Sequence, residues 1–135
     1  MKTIYLAGPM DFVSEQNMTK WRDTATKKLQ PYGYKTLDPV RRPHHHKLTN
    51  KEIFNLDMID IKDSDLLLVD CRDLKVPTFG TPCEVFYASY ILKKPVIGWY
   101  DAKTDPFENS VFQSVLFDRR FDSLSNALSH IVEFY

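Results

Sequence analysis

The sequence contains few cysteines and few glycines. There are two cysteines, Cys71 and Cys83, and four glycines among 135 residues. Two cysteines are too few for a disulfide scaffold, so we expect a cytoplasmic protein in a reducing compartment. Hydrophobic residues make up 43% of the chain and no low-complexity run interrupts it, which predicts a packed globular protein. The length predicts a single domain over residues 1–135.

The sequence also has no excess of charge. Eighteen Lys and Arg residues balance eighteen Asp and Glu residues, for a formal net charge of zero. Proteins that bind a phosphate backbone or an anionic lipid surface usually carry a basic excess. Nucleic acid and membrane are therefore not expected as partners.

Long hydrophobic runs and glycine-rich phosphate motifs are missing too. The apolar run near the N-terminus, Thr3 to Ala7, is broken by Gly8 and Pro9, which is too short for a signal peptide core or a membrane span and suits a first strand. Neither G-x-G-x-x-G after that strand nor G-x-x-x-x-G-K-[ST] occurs. These absences argue against a dinucleotide-binding dehydrogenase and a P-loop enzyme.

What the chain does have is an alternation of short apolar runs with longer helical patterns. This alternation is typical of βαβ units around a parallel sheet. The predicted strands are residues 3–7, 34–37, 66–69, 95–99 and, at one edge, 119–121. The predicted helices are residues 17–29, a helix capped by Thr49, a helix from Thr81 to Leu92, and residues 109–117 and 123–134. Residues 40–48 show neither period and are predicted to form a loop.

Ligands of open parallel sheets bind beyond the carboxyl ends of the strands, and Glu84 is the main candidate for a reacting residue in that region. It follows the third strand in the sequence Gly80-Thr81-Pro82-Cys83-Glu84. A carboxylate in the first turn of a helix is kept ionised by the helix dipole and can act as a nucleophile. The same Thr81-x-x-Glu84 spacing also fits a purely structural capping box, and spacing alone does not decide between the two.

A wider set of residues resembles the nucleoside 2-deoxyribosyltransferase family. The opening Lys-Thr-Ile-Tyr-Leu-Ala-Gly-Pro is similar to that family's first strand and turn, and Asn55-Leu56-Asp57, Asp65 and Gly80 to Glu84 follow in the family's order and spacing. The resemblance implies a flavodoxin-like three-layer α/β sandwich with a five-stranded, mainly parallel sheet. It also implies a homo-oligomer, since Asn109 falls where the family places an Asn that reaches a neighbouring subunit's site.

The resemblance implies a transferase that moves 2-deoxyribose between the bases of 2'-deoxynucleosides. Glu84 would attack the anomeric carbon and form a covalent deoxyribosyl ester, which an incoming base then resolves, as in retaining double displacement. Tyr5 would orient the carboxylate, and Asp57 would meet the departing base. No cofactor is implied, and the partners are small deoxynucleosides and free nucleobases. The remaining substrate-binding residues predicted at the strand ends are Gly8, Pro9, Asp70, Thr78, Gly80 and Asn109.

One departure from the family pattern leaves a second enzyme open. Many relatives carry an Asp six residues before Glu84 for the sugar 5'-hydroxyl, and here that residue is Thr78. A hydroxyl suits a phosphate better, as in the related deoxynucleoside 5'-monophosphate N-glycosidases, and Arg41 or Arg42 would add charge-assisted bonds. Alternatively, Asp70 or Asp73 supplies the missing acid.

Other classes are weaker. A phosphoacceptor receiver domain would place its phosphorylated Asp near Asp70, but it needs an acidic pair after the first strand, where this chain has Gly8 and Pro9. A noncatalytic nucleotide-sensing module stays open, although Glu84 together with Tyr5 favours an enzyme. His44, His45 and His46 lack the spacing of metal ligands, so no metal is expected, and a lid or a solvated loop is the better interpretation.

Overall fold

The computed structural model describes residues 2–43 and 45–135, and a five-stranded sheet forms its centre. The strands are β1 (Thr3–Ala7), β2 (Lys35–Leu37), β3 (Leu66–Asp70), β4 (Val96–Trp99) and β5 (Arg119–Phe121), in the order β2-β1-β3-β4-β5. Every pairing is parallel. The predicted parallel α/β fold is thereby confirmed, and the carboxyl ends of β1 and β3 lie side by side because Ala7 pairs with Val69.

In the described part of the chain, five α-helices cover the two faces of this sheet. They are α1 (Glu15–Leu29), α2 (Asn50–Asp63), α3 (Gly80–Phe86), which continues into a π-helical turn over Tyr87–Ile91, α4 (Val111–Leu116) and α5 (Leu124–Phe134). Helices α1 and α5 bury Trp21, Ala25 and Ile131 against one face, while α2 and α3 bury Ile61, Val85 and Ala88 against the other. This gives the expected three layers. None of the described helices is long and apolar enough to cross a membrane.

Side-chain caps fix the helix ends, and they move several predicted boundaries. Helix α1 starts two residues earlier than predicted because the Ser14 hydroxyl caps it, and it ends at Leu29, before Gly33 turns the chain with φ of 85°. The predicted capping box of α2 is present, with Thr49 and Glu52 bonded in both directions. Helix α4 begins at Val111 and not at Asn109, because Ser110 is the residue that caps it.

The described residues of the loop after β2 include two short 3-10 turns, Pro39–Arg41 and His45–Lys47. The first is capped by Asp38, whose carboxylate accepts a hydrogen bond from the backbone N–H of Val40. A 3-10 turn gives little apolar periodicity in the sequence, since it spans only a few residues. The prediction that His44, His45 and His46 form a lid or solvated loop falls partly on His44, which lies outside the described residues.

Candidate active site

The side chains of Tyr5, on β1, and Glu84, on α3, are in contact. Tyr5 is the central residue of the buried strand β1 and has no solvent-exposed surface. Its hydroxyl donates a hydrogen bond of 2.5 Å to Glu84 Oε2. A bond this short is typical of an O–H donor facing an ionised carboxylate. The two residues lie 79 positions apart in the chain, so it is the fold that brings the Tyr5 hydroxyl and the Glu84 carboxylate together. The role of Tyr5 in orienting a nucleophile stays a prediction.

The local setting of Glu84 differs from the sequence prediction. Helix α3 begins at Gly80 after Phe79, which makes no side-chain cap. Glu84 is therefore the fifth residue of the helix and lies beyond its first turn, and the predicted Thr81 cap is wrong. The capping-box interpretation of Glu84 is wrong for the same reason, since its carboxylate is turned towards β1 and bonds Tyr5.

Burial dominates the electrostatics of Glu84. Its pKa is raised to about 7, chiefly because burial removes water from the carboxylate; the Tyr5 hydrogen bond and the charges of Arg22 and Arg42 oppose this rise, and the negative charge of Asp57 adds to it. The expectation that the helix dipole keeps this carboxyl ionised is corrected here, because burial outweighs the favourable partners. A carboxyl poised near neutral pH is suited to nucleophilic or acid–base chemistry.

Asp57 lies on α2, close enough to Tyr5 and Glu84 for its charge to raise the pKa of both. Its Oδ1 accepts a bond of 2.6 Å from Arg42 Nη1, and the other Nη of Arg42 bonds Asp60 Oδ2 at 2.7 Å. Burial raises the pKa of Asp57 against the opposing effect of Arg42. Glu84, Tyr5 and Asp57, the three predicted catalytic residues, thus occupy one cluster.

Gly8 and Pro9 form the turn that leaves β1. A Cβ atom on Gly8 would lie 2.9 Å from Asp70 Cβ and 3.1 Å from the Trp21 ring, so no other residue fits without movement. The Gly8 carbonyl accepts a bond of 3.1 Å from Arg22, whose side chain is fully buried. The geometry of Gly8 explains the glycine by close packing, and a direct contact with substrate stays a prediction.

Asp70 is the last residue of β3 and lies beside that turn, but its carboxylate already forms an ion pair with Arg72. Arg72 donates from Nε to Asp70 Oδ1 at 3.0 Å and from Nη2 to Oδ2 at 2.8 Å. The Asp70 side chain is buried, at 3% exposure for the residue. A role for Asp70 in binding a sugar hydroxyl would require Arg72 to release it or to share it.

A cavity of about 580 Å³ opens between the β3–α3 loop and α4. Three predicted substrate residues, Pro9, Asp70 and Thr78, line it together with apolar side chains that include Val76, Phe112 and Leu116. Cys83 and Val85, the neighbours of Glu84 in the chain, also line it, whereas Glu84, Tyr5 and Asp57 do not. The cavity thus adjoins the cluster of Tyr5, Asp57 and Glu84 without containing it.

The last two predicted substrate residues are exposed. Gly80 begins α3 with no atom within 4 Å of the position that a Cβ would take, so packing does not demand glycine there. Asn109 precedes the cap of α4, next to the cavity residue Ser110. Among residues 2–43 and 45–135, no group of three or more His, Cys, Asp or Glu side chains is arranged to hold a metal ion.

Comparison with known proteins decides the family. The family model described as nucleoside 2-deoxyribosyltransferase matches residues 4–118, which include every residue of the cluster. The chain belongs to the nucleoside 2-deoxyribosyltransferase family. Members of this glycosyl-transferring family act on small nucleosides and bases. A comparison with curated protein sequences gives no match.

Solved structures agree with the fold of this deoxyribosyltransferase family member. It is similar to a 2-desoxiribosyltransferase from Leishmania mexicana, with a TM-score of 0.75, 22% identity, and coverage of 100% of this chain and 99% of the other. The chain is also similar to a 2-deoxyribosyltransferase from Bacillus psychrosaccharolyticus, with a TM-score of 0.71, 25% identity, and coverage of 98% of this chain and 91% of the other. A CMP N-glycosidase from Clostridium botulinum has a similar fold, with a TM-score of 0.68, 15% identity, and coverage of 99% of this chain and 100% of the other. The flavodoxin-like fold is thus confirmed.

Sequence reasoning missed how the arginines of this family member are used. Arg42 joins Asp57 to Asp60, Arg72 pairs with Asp70, and Arg41 forms a surface pair with Asp23 at 2.8 Å. The spacing of Asp57 and Asp60 does place both on one helix face. Which arginine of the preceding loop reaches them depends on the two 3-10 turns, and the sequence carries no signal for that choice.

Proposed function

We propose that this protein transfers 2-deoxyribose between nucleobases of 2'-deoxynucleosides through a covalent deoxyribosyl ester on Glu84. The observation that carries this proposal is the Tyr5–Glu84 hydrogen bond beside Asp57, which supplies a nucleophile, its orienting donor and a second carboxyl in one cluster. Double displacement needs two carboxyls in distinct roles, one as nucleophile and one as acid and then base.

The reaction runs in two steps. A Glu84 carboxylate oxygen attacks the anomeric carbon, the C1'–N bond breaks, and its electron pair goes to the departing base, which takes a proton from the Asp57 carboxyl. An incoming base then attacks the same carbon, gives its proton to the Asp57 carboxylate and releases Glu84. No redox partner or cofactor is needed, since each step exchanges one bond for another.

The positions of the arginines favour a nucleoside over a 5'-monophosphate. Arg41 pairs with Asp23, Arg42 with Asp57 and Asp60, and Arg72 with Asp70. A phosphate bound near Thr78 would therefore have to displace an existing ion pair to gain an arginine. A 5'-monophosphate N-glycosidase is the alternative outcome of the experiment below.

We also propose that the protein works as a homo-oligomer with shared sites. Helix α3, the π-helical turn that follows it and helix α4 expose large apolar side chains, and two of these, Phe86 and Phe112, also line the cavity; the exposed residues are Phe86, Tyr90, Ile91, Val111, Phe112 and Val115. Exposed apolar side chains that cluster on a surface favour an interaction site, and the stacked Phe86 and Tyr90 rings are one such cluster. A second copy seated there would bring Asn109, which stands at the same edge, towards the neighbouring site.

Nucleoside salvage in the cytoplasm is the setting that we propose for this activity. Cys71 and Cys83 are free thiols, which suits a reducing compartment. Salvage is the class of process that exchanges bases on existing deoxynucleosides, which is the reaction proposed here.

The test is chromatography of products after incubation with thymidine and adenine, and separately with deoxynucleoside 5'-monophosphates. We expect deoxyadenosine from the wild type and none from Glu84→Ala. Intact mass spectrometry after an acid quench should show one added deoxyribosyl group on the wild type. Free base from the monophosphates alone would replace transfer by hydrolysis, and binding without turnover would indicate a nucleotide sensor.

A further inference from the structure

The loop arginine Arg42 is built into the catalytic cluster and has no role in the reaction as described so far. Its side chain is 11% exposed, and it donates to two different carboxylates of α2. A guanidinium commonly binds one carboxylate with both arms of its fork. Here one arm holds Asp57 Oδ1 at 2.6 Å and the other holds Asp60 Oδ2 at 2.7 Å.

This divided fork has a geometric consequence. Asp60 is 32% exposed against 14% for Asp57 and lies one helical turn away, so it anchors Arg42 from the more exposed of the two positions. Asp57 is held through a single oxygen, and among the described residues Arg42 is the one side chain that donates to it. The second oxygen of Asp57 accepts no hydrogen bond from the described side chains and is left for another partner.

We propose that Arg42 is a positioning residue for the departure of the base: anchored on Asp60, it fixes the Asp57 carboxyl and stabilises the carboxylate that remains after Asp57 has given its proton. This inference rests on the proposed function, because it assigns a role within that reaction. When the C1'–N bond breaks, the proton moves from Asp57 to the base, and the negative charge left on Asp57 faces the Arg42 guanidinium. A fixed cation placed where charge develops lowers the barrier.

The electrostatic setting agrees with this role. Arg42 lowers the pKa of Asp57 and of Glu84, against burial that raises both. The charged and titratable groups that act on this pair come from every neighbouring element, namely Tyr5 from β1, Arg22 from α1, Asp60 from α2, and Arg42 and His45 from the loop. Loss of the Arg42 charge should therefore move the ionisation of Glu84 and Asp57 to higher pH.

The neighbouring arginine offers a matched control. Arg41 pairs with Asp23 on the surface, with side chains 57% and 46% exposed, and it makes no contact with the cluster. Exposed pairs of this kind contribute little to stability. Arg41→Gln therefore removes the same charge from the adjacent position without touching Asp57.

The decisive experiment compares leaving groups. N7-methylation gives the base of 7-methyl-2'-deoxyguanosine a positive charge, so this base departs without a proton, whereas the base of 2'-deoxyguanosine requires one. We expect Arg42→Gln to lower turnover of 2'-deoxyguanosine by about 10- to 100-fold, less than the roughly 10²- to 10⁴-fold contribution of a general acid because Asp57 itself remains, and to lower that of the methylated substrate only a few-fold. For a pyrimidine-specific enzyme, 2'-deoxyuridine and its 5-trifluoromethyl analogue replace this pair. Equal losses on both substrates would overturn the proposal.

A second readout does not depend on activity. Titration of the side-chain carboxyl carbons by ¹³C NMR should show the ionisation of Asp57 and Glu84 shifted to higher pH in Arg42→Gln, restored towards wild type in Arg42→Lys, and unchanged in Arg41→Gln. Absence of the shift in Arg42→Gln would overturn the inference, whatever the enzyme does. A shift in a protein that transfers no deoxyribose would instead contradict the proposed function and leave the electrostatic role of Arg42 standing.

Discussion

The two sides of helix α3 differ sharply. On the side of β1 and α2, Glu84, Tyr5, Asp57 and Arg42 place polar groups in contact, with bonds of 2.5 and 2.6 Å. On the side of α4, the lining of the cavity is mostly apolar, and Phe112 and Val115 are 74% and 75% exposed.

Each side of α3 includes an arrangement that is energetically unfavourable on its own and that therefore indicates a function. Burying carboxyls is unfavourable unless partners compensate, and Glu84 keeps a raised pKa despite its partners, which is the perturbation expected of a reacting group. Exposing aromatic and branched side chains in water is unfavourable as well. Under the proposals above, the polar side of α3 serves the reaction and the exposed apolar side serves association, and the experiments below separate the two.

The largest effect should come from breaking the polar side at the nucleophile. Glu84→Gln keeps the shape of the side chain and can still accept from Tyr5, but an amide does not form the deoxyribosyl ester. We expect transfer between thymidine and adenine to fall by about 10⁴-fold or more, as for removal of other covalent nucleophiles. Chromatography of products measures the loss, and a variant that retains more than a tenth of the activity would contradict the role of Glu84.

Tyr5→Phe should have the next largest effect and should depend on pH. The Tyr5 hydroxyl lowers the pKa of Glu84 through its hydrogen bond, so its loss leaves a larger fraction of Glu84 protonated. We expect a loss of about 10- to 100-fold near pH 6 and a smaller loss near pH 8, because the acidic limb of kcat/KM moves upwards. Tyr34→Phe is the control, since its hydroxyl bonds the Ile131 carbonyl on the opposite face. A loss independent of pH would show that Tyr5 acts only through packing.

The apolar side is tested by complementation. Glu84→Ala and Asn109→Ala should each have low activity alone, yet co-expression should restore about a quarter of wild-type activity if a twofold dimer forms at random with one intact shared site. Val115→Asp places a charge on the exposed face of α4 and should reduce both the assembly, measured by light scattering, and the restored activity. A monomeric wild type, or no restoration in the mixed sample, would contradict shared sites.

The sequence predicts the framework better than the contacts within the site. Strand β3 and the capped helix α2 were predicted because apolar runs and capping spacings are local signals. Glu84 was placed on the right helix, but the helix starts at Gly80 and burial raises its pKa. Both outcomes depend on packing against β1, which no local pattern encodes. The Arg42 fork is a tertiary arrangement of the same kind, since it depends on how the loop after β2 folds over α2.

The smallest effect concerns stability and tests whether burial of the charged Glu84 carboxylate destabilises the folded protein. Its pKa is about 7 in the folded protein and 4.5 ordinarily, so between these values the folded state binds more protons than the unfolded state. The free energy of unfolding then falls as pH rises through this window, and Glu84→Gln removes this loss. We expect the free energy of unfolding of Glu84→Gln, relative to that of the wild type, to rise by roughly 1–3 kcal/mol from about pH 5 to about pH 8. Urea unfolding at these two pH values measures the difference.

Glu133→Gln, in an exposed position of α5, is the control, because an exposed carboxylate loses no hydration on folding. A difference between Glu84→Gln and wild type that stays constant with pH would show that the folded protein already offsets the burial of this carboxylate.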